Sequence, residues 1–416
     1  DTKLVEPFDI FVNEEGKIYR YIANNTYFRS LVKVIKVDSE TGKTIPAAGV
    51  TFKIWDVEAN SWITQTINYP TLTVLDEFQT ASDGTLVLPE PLKSGEYLLY
   101  ETSGCYGYVL AEEPVAFTIH SSQQSEIIEV MMANAPAKGT ILIEKTGDML
   151  TGAQKVKTEY GTQYVPIFEQ VPVSGQQFDI IAASDVYTPD GTLRFCKDTI
   201  VDTISIIDGK GESKQLYLGD YFVVEKKAGE PFVKNPKKYP VSLQYEGENV
   251  PVVHTSLSMT NERQRVEIEV IKLIEKLEDA PEGFSPYNDV LLGLYAESDI
   301  LDVNGNVVVP KDGLLSLITV NAEGRGFVSG KLPFSELYIR EIKTNSYYEL
   351  NQKKYPVAVR YQGEDVQTAK IVLEQAIPNE LKPGRITLYK QGEMLTGAVQ
   401  KEQEGYVLYT PVYELA

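Results

Sequence analysis

Apolar residues recur at every second position in short runs along the chain, and the runs return in the same order. "VKVIKV", "ILIEKT" and "VEIEVIKLI" each open a cycle with an alternating segment that carries a lysine. Such alternation sends successive side chains to opposite faces and predicts strands with one buried face. A second run follows ("VTFKIWD", "QQFDIIA", "LLGLYAE"), then a tight turn ("ASDGTL", "IIDGKG", "NAEGRG") in which glycine supplies a positive φ without steric cost. Next come "GEYLLYE", "GDYFVVE" and "ELYIRE", each with a glutamate at its end. Segments entered through proline ("EEPVAFTI", "KKYPVSLQY", "KKYPVAVRY") precede a last strand that closes on asparagine ("VMMAN", "LSMTN", "QAIPN"). One segment is ambiguous. Val270, Ile271, Leu273, Ile274 and Leu277 also satisfy helical spacing, and register with the other cycles decides for a strand.

Short strands at close spacing, divided by Gly, Pro and Asp turns, predict an all-β chain built as a tandem array of small immunoglobulin-like β-sandwiches. The phrase "GTILIEKTGDMLTGA" at 139–153 restarts as "GRITLYKQGEMLTGA" at 384–398, as expected of a repeat. The segments "FDIFVNEEGKIYRYIANN" and "FTIHSSQQSEIIEVMMANA" likewise echo one another, each reading as strand, polar turn and strand. Three complete modules are expected at 31–137, 138–264 and 265–382. Residues 1–30 read as the C-terminal strands of a preceding module, and 383–416 as the N-terminal part of a following one. The second module carries an insertion, "QKVKTEYGTQYVPIFEQVPV", matched after residue 398 by "QKEQEGYVLYTPVYEL".

A formal charge of −20 argues against nucleic acid or an anionic membrane as partner, because both select clustered Lys and Arg. No run approaches the roughly eighteen apolar residues of a membrane span, and no signal segment or wall-sorting motif is visible. Any anchor is expected outside this segment. The two cysteines, Cys105 and Cys196, fall in different modules, so no disulfide framework is available to hold the fold.

That makes the recurring Lys–Glu–Asn order informative. The sets are Lys36, Glu101 and Asn134; Lys145, Glu225 and Asn261; and Lys272, Glu341 and Asn379. A lone lysine on a strand is ordinarily a surface residue with a snorkelling stem; three sets in one order and one strand context point elsewhere. Burial in a sandwich depresses a lysine pKa and raises that of a carboxyl. A neutral amine can then attack a carboxamide while the acid polarises its carbonyl and carries the proton to departing ammonia. Folding supplies the alignment, so the reaction needs no cofactor or metal and occurs once per module, without turnover.

The stretch "KVDSETGK…AAGVTFKI…SDGTLVLPEPLKSGEYLLYETSGCYGY…N" resembles the B-type (CnaB, SpaA-like, prealbumin-like) repeat of Gram-positive collagen adhesins and sortase-assembled pilins. The resemblance implies a prealbumin-like sandwich with a spontaneous Lys–Asn isopeptide bond promoted by the acid. The second and third modules keep Lys, Glu and Asn but lose the "ET…GY" context. It further implies an extracellular, wall-anchored stalk, with adjacent modules as partners, or else a module or pilus subunit that recognises a host matrix protein or glycan. Asn24 and Lys390 are orphans of the pattern, expected to find their crosslink partners outside the segment. Lys33 and Lys276 fall off the reactive register and should be exposed. Cys105 reads as a lone, partly buried thiol, and "DVNGN" at 302–306 as a hairpin turn before a calcium loop. His120 and His254 assemble no catalytic or metal cluster.

Overall fold

The lysine-bearing runs are strands with one buried face in a computed structural model that describes residues 8–22, 28–120 and 127–416. Along Arg29–Asp38, Val32, Val34 and Lys36 are fully buried, while Leu31, Lys33 and Ile35 between them are half-exposed. Every regular element among the described residues is a strand. The ambiguous run forms strand Arg265–Ile274. Pairing on both edges decides it, since Thr368–Val372 and Arg325–Gly330 hydrogen-bond along its two sides.

The described residues build three sandwiches in series, each of two sheets around its own core. In the first, Ile127–Asn134, Arg29–Asp38 and Thr85–Val87 face Val115–Ile119, Gly95–Ser103 and Thr51–Asp56. Val34, Phe52, Ile54, Leu99 and Met132 fill the space between. Ile141, Phe178, Ile180 and Val223 do so in the second, and Ile268, Leu292, Leu294 and Ile339 in the third. Each such side chain contributes roughly 1.5–3 kcal/mol of burial.

In every sandwich the first strand lies beside the last and parallel to it. The pairing is Lys36↔Met132 and Asp38↔Asn134, then Lys145↔Met259 and Gly147↔Asn261, then Lys272↔Ile377 and Ile274↔Asn379. The asparagine therefore sits two residues beyond the lysine's partner, on the same face of the sheet.

The insertion is a long hairpin, Lys138–Thr158 with Gly161–Pro172. Although it belongs in sequence to the second sandwich, Leu150, Ala153, Tyr164 and Phe168 pack against the core of the third. Gln163 pairs with Leu314, so strands of both join one sheet. The second hairpin, Glu393–Gln403 with Tyr406–Leu415, repeats this design. "MLTGA" carries a bulge in each, between Leu150 and Gly152 and between Leu395 and Gly397. Leu150 is 7% exposed and its counterpart Leu395 61%.

Two strand expectations are corrected. Residues 8–22 form a turn near Gly16 but no strand, and 384–392 form none either. Phe11, Ile18, Ile22, Ile386 and Leu388 are exposed, and among the described residues no neighbouring strand satisfies the backbone there. An alternating run has a buried face only where a core receives it.

Candidate functional site

The three lysines arrive at the same place by the same means. Each is carried on the buried face of its first strand, and its backbone N–H donates to the carbonyl of the turn glycine: Lys36 to Gly84 (3.0 Å), Lys145 to Gly209 (2.7 Å), Lys272 to Gly324 (2.7 Å). All three glycines have φ between +75° and +77°. The turn that the sequence marks only as a φ requirement is thus the device that seats the lysine.

In the first sandwich Lys36, Glu101 and Asn134 form a closed cluster. The Lys36 Nζ contacts both Glu101 Oε1 and Asn134 Oδ1. Asn134 Nδ2 donates to Glu101 Oε2 (2.6 Å) and to the Val109 carbonyl (2.6 Å). The Ala111 N–H also donates to Glu101 Oε2 (2.8 Å), which fixes the carboxyl from the loop that follows its strand. All three residues are buried. Burial pushes the lysine down to about 7, while the neighbouring Cys105 and Glu248 act in the opposite sense.

The second cluster repeats the plan. Lys145 Nζ donates to Asn261 Oδ1 (2.7 Å), Asn261 Nδ2 to Glu225 Oε1 (2.7 Å), and Asn235 N–H to Glu225 Oε2 (2.7 Å). Burial lowers Lys145 to about 8, opposed by Glu225. In the third, Lys272 Nζ lies 3.3 Å from Glu341 Oε1 and donates to the Ile377 carbonyl (3.0 Å). Asn379 Nδ2 donates to Glu341 Oε2 (2.8 Å) and to the Glu349 carbonyl (2.5 Å). Asn379 Oδ1 has no hydrogen-bond partner there, so Lys272, unlike Lys36 and Lys145, does not hydrogen-bond to the oxygen of its amide. Its pKa is also lowered, by burial first, against the pull of Glu341.

Chemically, each cluster holds a desolvated amine beside a carboxamide whose nitrogen is bound to a carboxyl. The other lysines among the described residues are outside these clusters. Lys33 pairs with Glu129 and Lys276 with Glu278 at the surface. Lys390 is exposed in the strandless segment, and Asn24 lies outside the described residues. Cys105 is half-buried against the first core with its thiol pushed up by burial, and Cys196 is exposed. Asp302 closes the "DVNGN" turn by accepting from the Asn304 and Asn306 N–H groups.

Sequence reasoning missed what surrounds the first cluster. Asp38, fully buried two residues beyond Lys36, accepts from Tyr108 OH (2.9 Å) and from Arg194 Nη2 (2.9 Å) of the second sandwich. Nothing in the "TLRFC" context of Arg194 signals this role, because its partner lies 156 residues away.

Residues 30–135 match the family model described as the SpaA prealbumin-like fold domain. The resemblance read from "KVDSETGK" onward is borne out over that stretch. Among solved structures, the chain is similar to the Bacillus anthracis TIE protein at 16% identity and TM-score 0.47, covering 86% of this chain and 51% of that one. The chain thus spans about half the length of that relative. It is also similar to BcpA, the major pilin subunit of Bacillus cereus (14% identity, TM-score 0.29, 85% of this chain and 100% of that one). The shaft pilin spaA of Lactobacillus rhamnosus GG is a further likeness (14%, TM-score 0.20, 57% and 98%). No curated protein matches the chain.

Proposed function

We propose that this chain is a load-bearing stalk segment of a Gram-positive cell-surface adhesin, displayed outside the cell at the wall. Each sandwich locks itself with one Lys–Asn isopeptide bond. The neutral Lys Nζ attacks Asn Cγ, and the new C–N bond replaces the Cγ–Nδ2 bond. The glutamate takes the proton released at Nζ and passes it to Nδ2, which leaves as ammonia. Amine and carboxamide thus become a secondary amide plus ammonia, with no oxidant or cofactor. The observation that carries this reading is the threefold recurrence of a buried lysine diagonal to a buried asparagine across parallel strands, with Asn Nδ2 on the glutamate each time.

The test is the intact mass of the chain unfolded in denaturant. The expected mass is that of the sequence less three ammonias, and Glu101→Ala, Glu225→Ala and Glu341→Ala should each restore one. A mass equal to the bare sequence would overturn the clamp. A binding role would then stand first, since both tryptophans lie in the first sandwich. There Trp62, 44% exposed, packs edge-on between Trp55 and Tyr100.

Acylation also removes a titrating amine, which gives a pH signature. In Asn134→Ala, Lys36 stays free, with its pKa near 7 in the fold against 10.5 in the unfolded chain. Between those values the unfolded chain holds the extra proton, so the stability of the first sandwich rises with pH across this window and is flat below it. The crosslinked wild type has no such slope from Lys36. The difference in melting temperature between the two should therefore narrow from pH about 7 to about 10; a constant difference would show that Lys36 is not depressed.

A further inference from the structure

The two joints between successive sandwiches are built from one repeated loop. Tyr245-Glu246-Gly247-Glu248-Asn249-Val250 in the second sandwich corresponds to Tyr361-Gln362-Gly363-Glu364-Asp365-Val366 in the third. Each turns on its glycine, at φ +125° and +100°. Each grips the sandwich before it at the segment just past the buried glutamate.

At the first joint, Glu248 Oε2 accepts from the Gly104 N–H (2.6 Å) and the Glu248 carbonyl from the Leu110 N–H (2.8 Å). Tyr245 OH donates to the Tyr108 carbonyl (3.0 Å). At the second, Glu364 Oε2 accepts from Ala228 N–H (2.8 Å), its carbonyl from Lys234 N–H (2.8 Å), and Tyr361 OH donates to the Phe232 carbonyl (2.8 Å). The receiving groups lie three, seven and nine residues beyond Glu101 and Glu225 in both cases.

The same offsets from Glu341 lead to Thr344, Tyr348 and Leu350. This segment already has the receptor's shape. Tyr348 N–H donates to Asn345 O (3.0 Å), as Tyr108 does to Cys105 O (3.2 Å) and Phe232 to Gly229 O (2.8 Å). Glu349 N–H is tied to Glu380 O (3.0 Å), as Val109 is to Ala135 O (2.9 Å) and Val233 to Glu262 O (3.0 Å). Thr344, Asn345, Tyr348, Leu350 and Lys382 line a surface cleft, and Thr344 Oγ1 is buried in it without a hydrogen-bond partner. Lys382 at its rim suits an incoming carboxylate.

We infer that the Thr344–Leu350 cleft is a preformed acceptor for the Tyr-x-Gly-Glu-x-Val loop of a further module of this repeat. The incoming glutamate takes Thr344 N–H and Oγ1, its carbonyl takes Leu350 N–H, and the tyrosine hydroxyl donates to the Tyr348 carbonyl. This rests on the tandem-array part of the proposed function and is independent of the isopeptide bonds.

Two measurements test it. In the first, the full isotope-labelled chain is titrated with a disulfide-closed peptide carrying residues 359–368. The Thr344 and Leu350 amide resonances should shift, and a peptide with alanine in place of the Glu364 equivalent should leave them unmoved. The second removes dependence on peptide affinity by tethering the loop. Here the chain continues from Lys382 directly into a second copy of residues 265–382, which keeps the three-residue spacing between Asn261 and Arg265. Amide exchange at Thr344 and Leu350 should slow by at least about tenfold relative to the original chain. Alanine for glutamate in the appended loop should reverse that. Unchanged exchange at both amides, with the appended strands themselves protected, would overturn the acceptor. The mass experiment reports on the clamp separately, so either idea can fail alone.

Discussion

Pulled from its two ends, the wild-type chain will straighten its terminal segments and then resist, releasing no length from any of the three sandwiches. Load enters each along the first strand and leaves past the asparagine of the last. With Lys36 joined to Asn134, the 98 residues of separation between them are shunted out of the load path. In Glu101→Ala the shunt is missing, and the parallel pair of first and last strands must bear shear through hydrogen bonds alone. Unfolding should then release about 330 Å of contour, at about 3.4 Å per residue. For Glu225→Ala the separation is 116 residues, and the corresponding step is about 390 Å. The two variants thus identify their own sandwiches by step length in single-molecule extension. Steps of this size in the wild type would mean that the force path is not covalent. Without load, closing loops of this size contributes about 4–5 kcal/mol in the chain-entropy picture. The larger effect is on rate, since a clamped strand pair cannot peel from its ends.

Replacing Gly84 by alanine will cost the first sandwich about 3–5 kcal/mol and suppress loss of its ammonia. Gly84 sits at φ +77°, and a Cβ there would fall 1.9 Å from the Ile45 carbonyl oxygen and 2.8 Å from its carbon. Both are backbone atoms with no side-chain freedom to yield. Ile45 N–H is itself bonded to the Lys36 carbonyl (2.9 Å), and Lys36 N–H to the Gly84 carbonyl, so relief of the clash displaces the lysine strand. Gly42 is the control: φ +71°, nothing within 4 Å of an added Cβ, and an expected cost of only about 1 kcal/mol. Amide exchange at Val34 in the Asn134→Ala background reads local stability without the covalent clamp masking it. Equal protection in Gly84→Ala and Gly42→Ala would mean that the turn does not seat the lysine.

Much of this was legible without coordinates because it follows from periodicity. Alternation at Val32, Val34 and Lys36 defines a buried face, and a lysine in phase with valines or isoleucines on three separate strands is a local signal. So is a glutamate closing a strand, and so is the turn glycine's positive φ, all of which depend on neighbours in sequence. The all-β class and the sandwich array came from the same signals, as did the choice of Lys36 over Lys33.

Tertiary structure decided everything that depends on which strand lies beside which. The two-residue diagonal from lysine to asparagine exists only because first and last strands pair in parallel, across some hundred residues. The glycine carbonyl reaches the lysine N–H only once the turn folds back on the first strand. The Arg194–Asp38 pair, the hairpin laid on the third core and the tyrosine–glutamate loops at the joints are contacts between sandwiches; hairpin and loop recur in the sequence, but which groups receive them is set only by the fold. Residues 8–22 and 384–392 mark the limit from the other side. Their alternation is as regular as that of true strands, yet they form none, because a strand's hydrogen bonds and its buried face are both supplied by a neighbour.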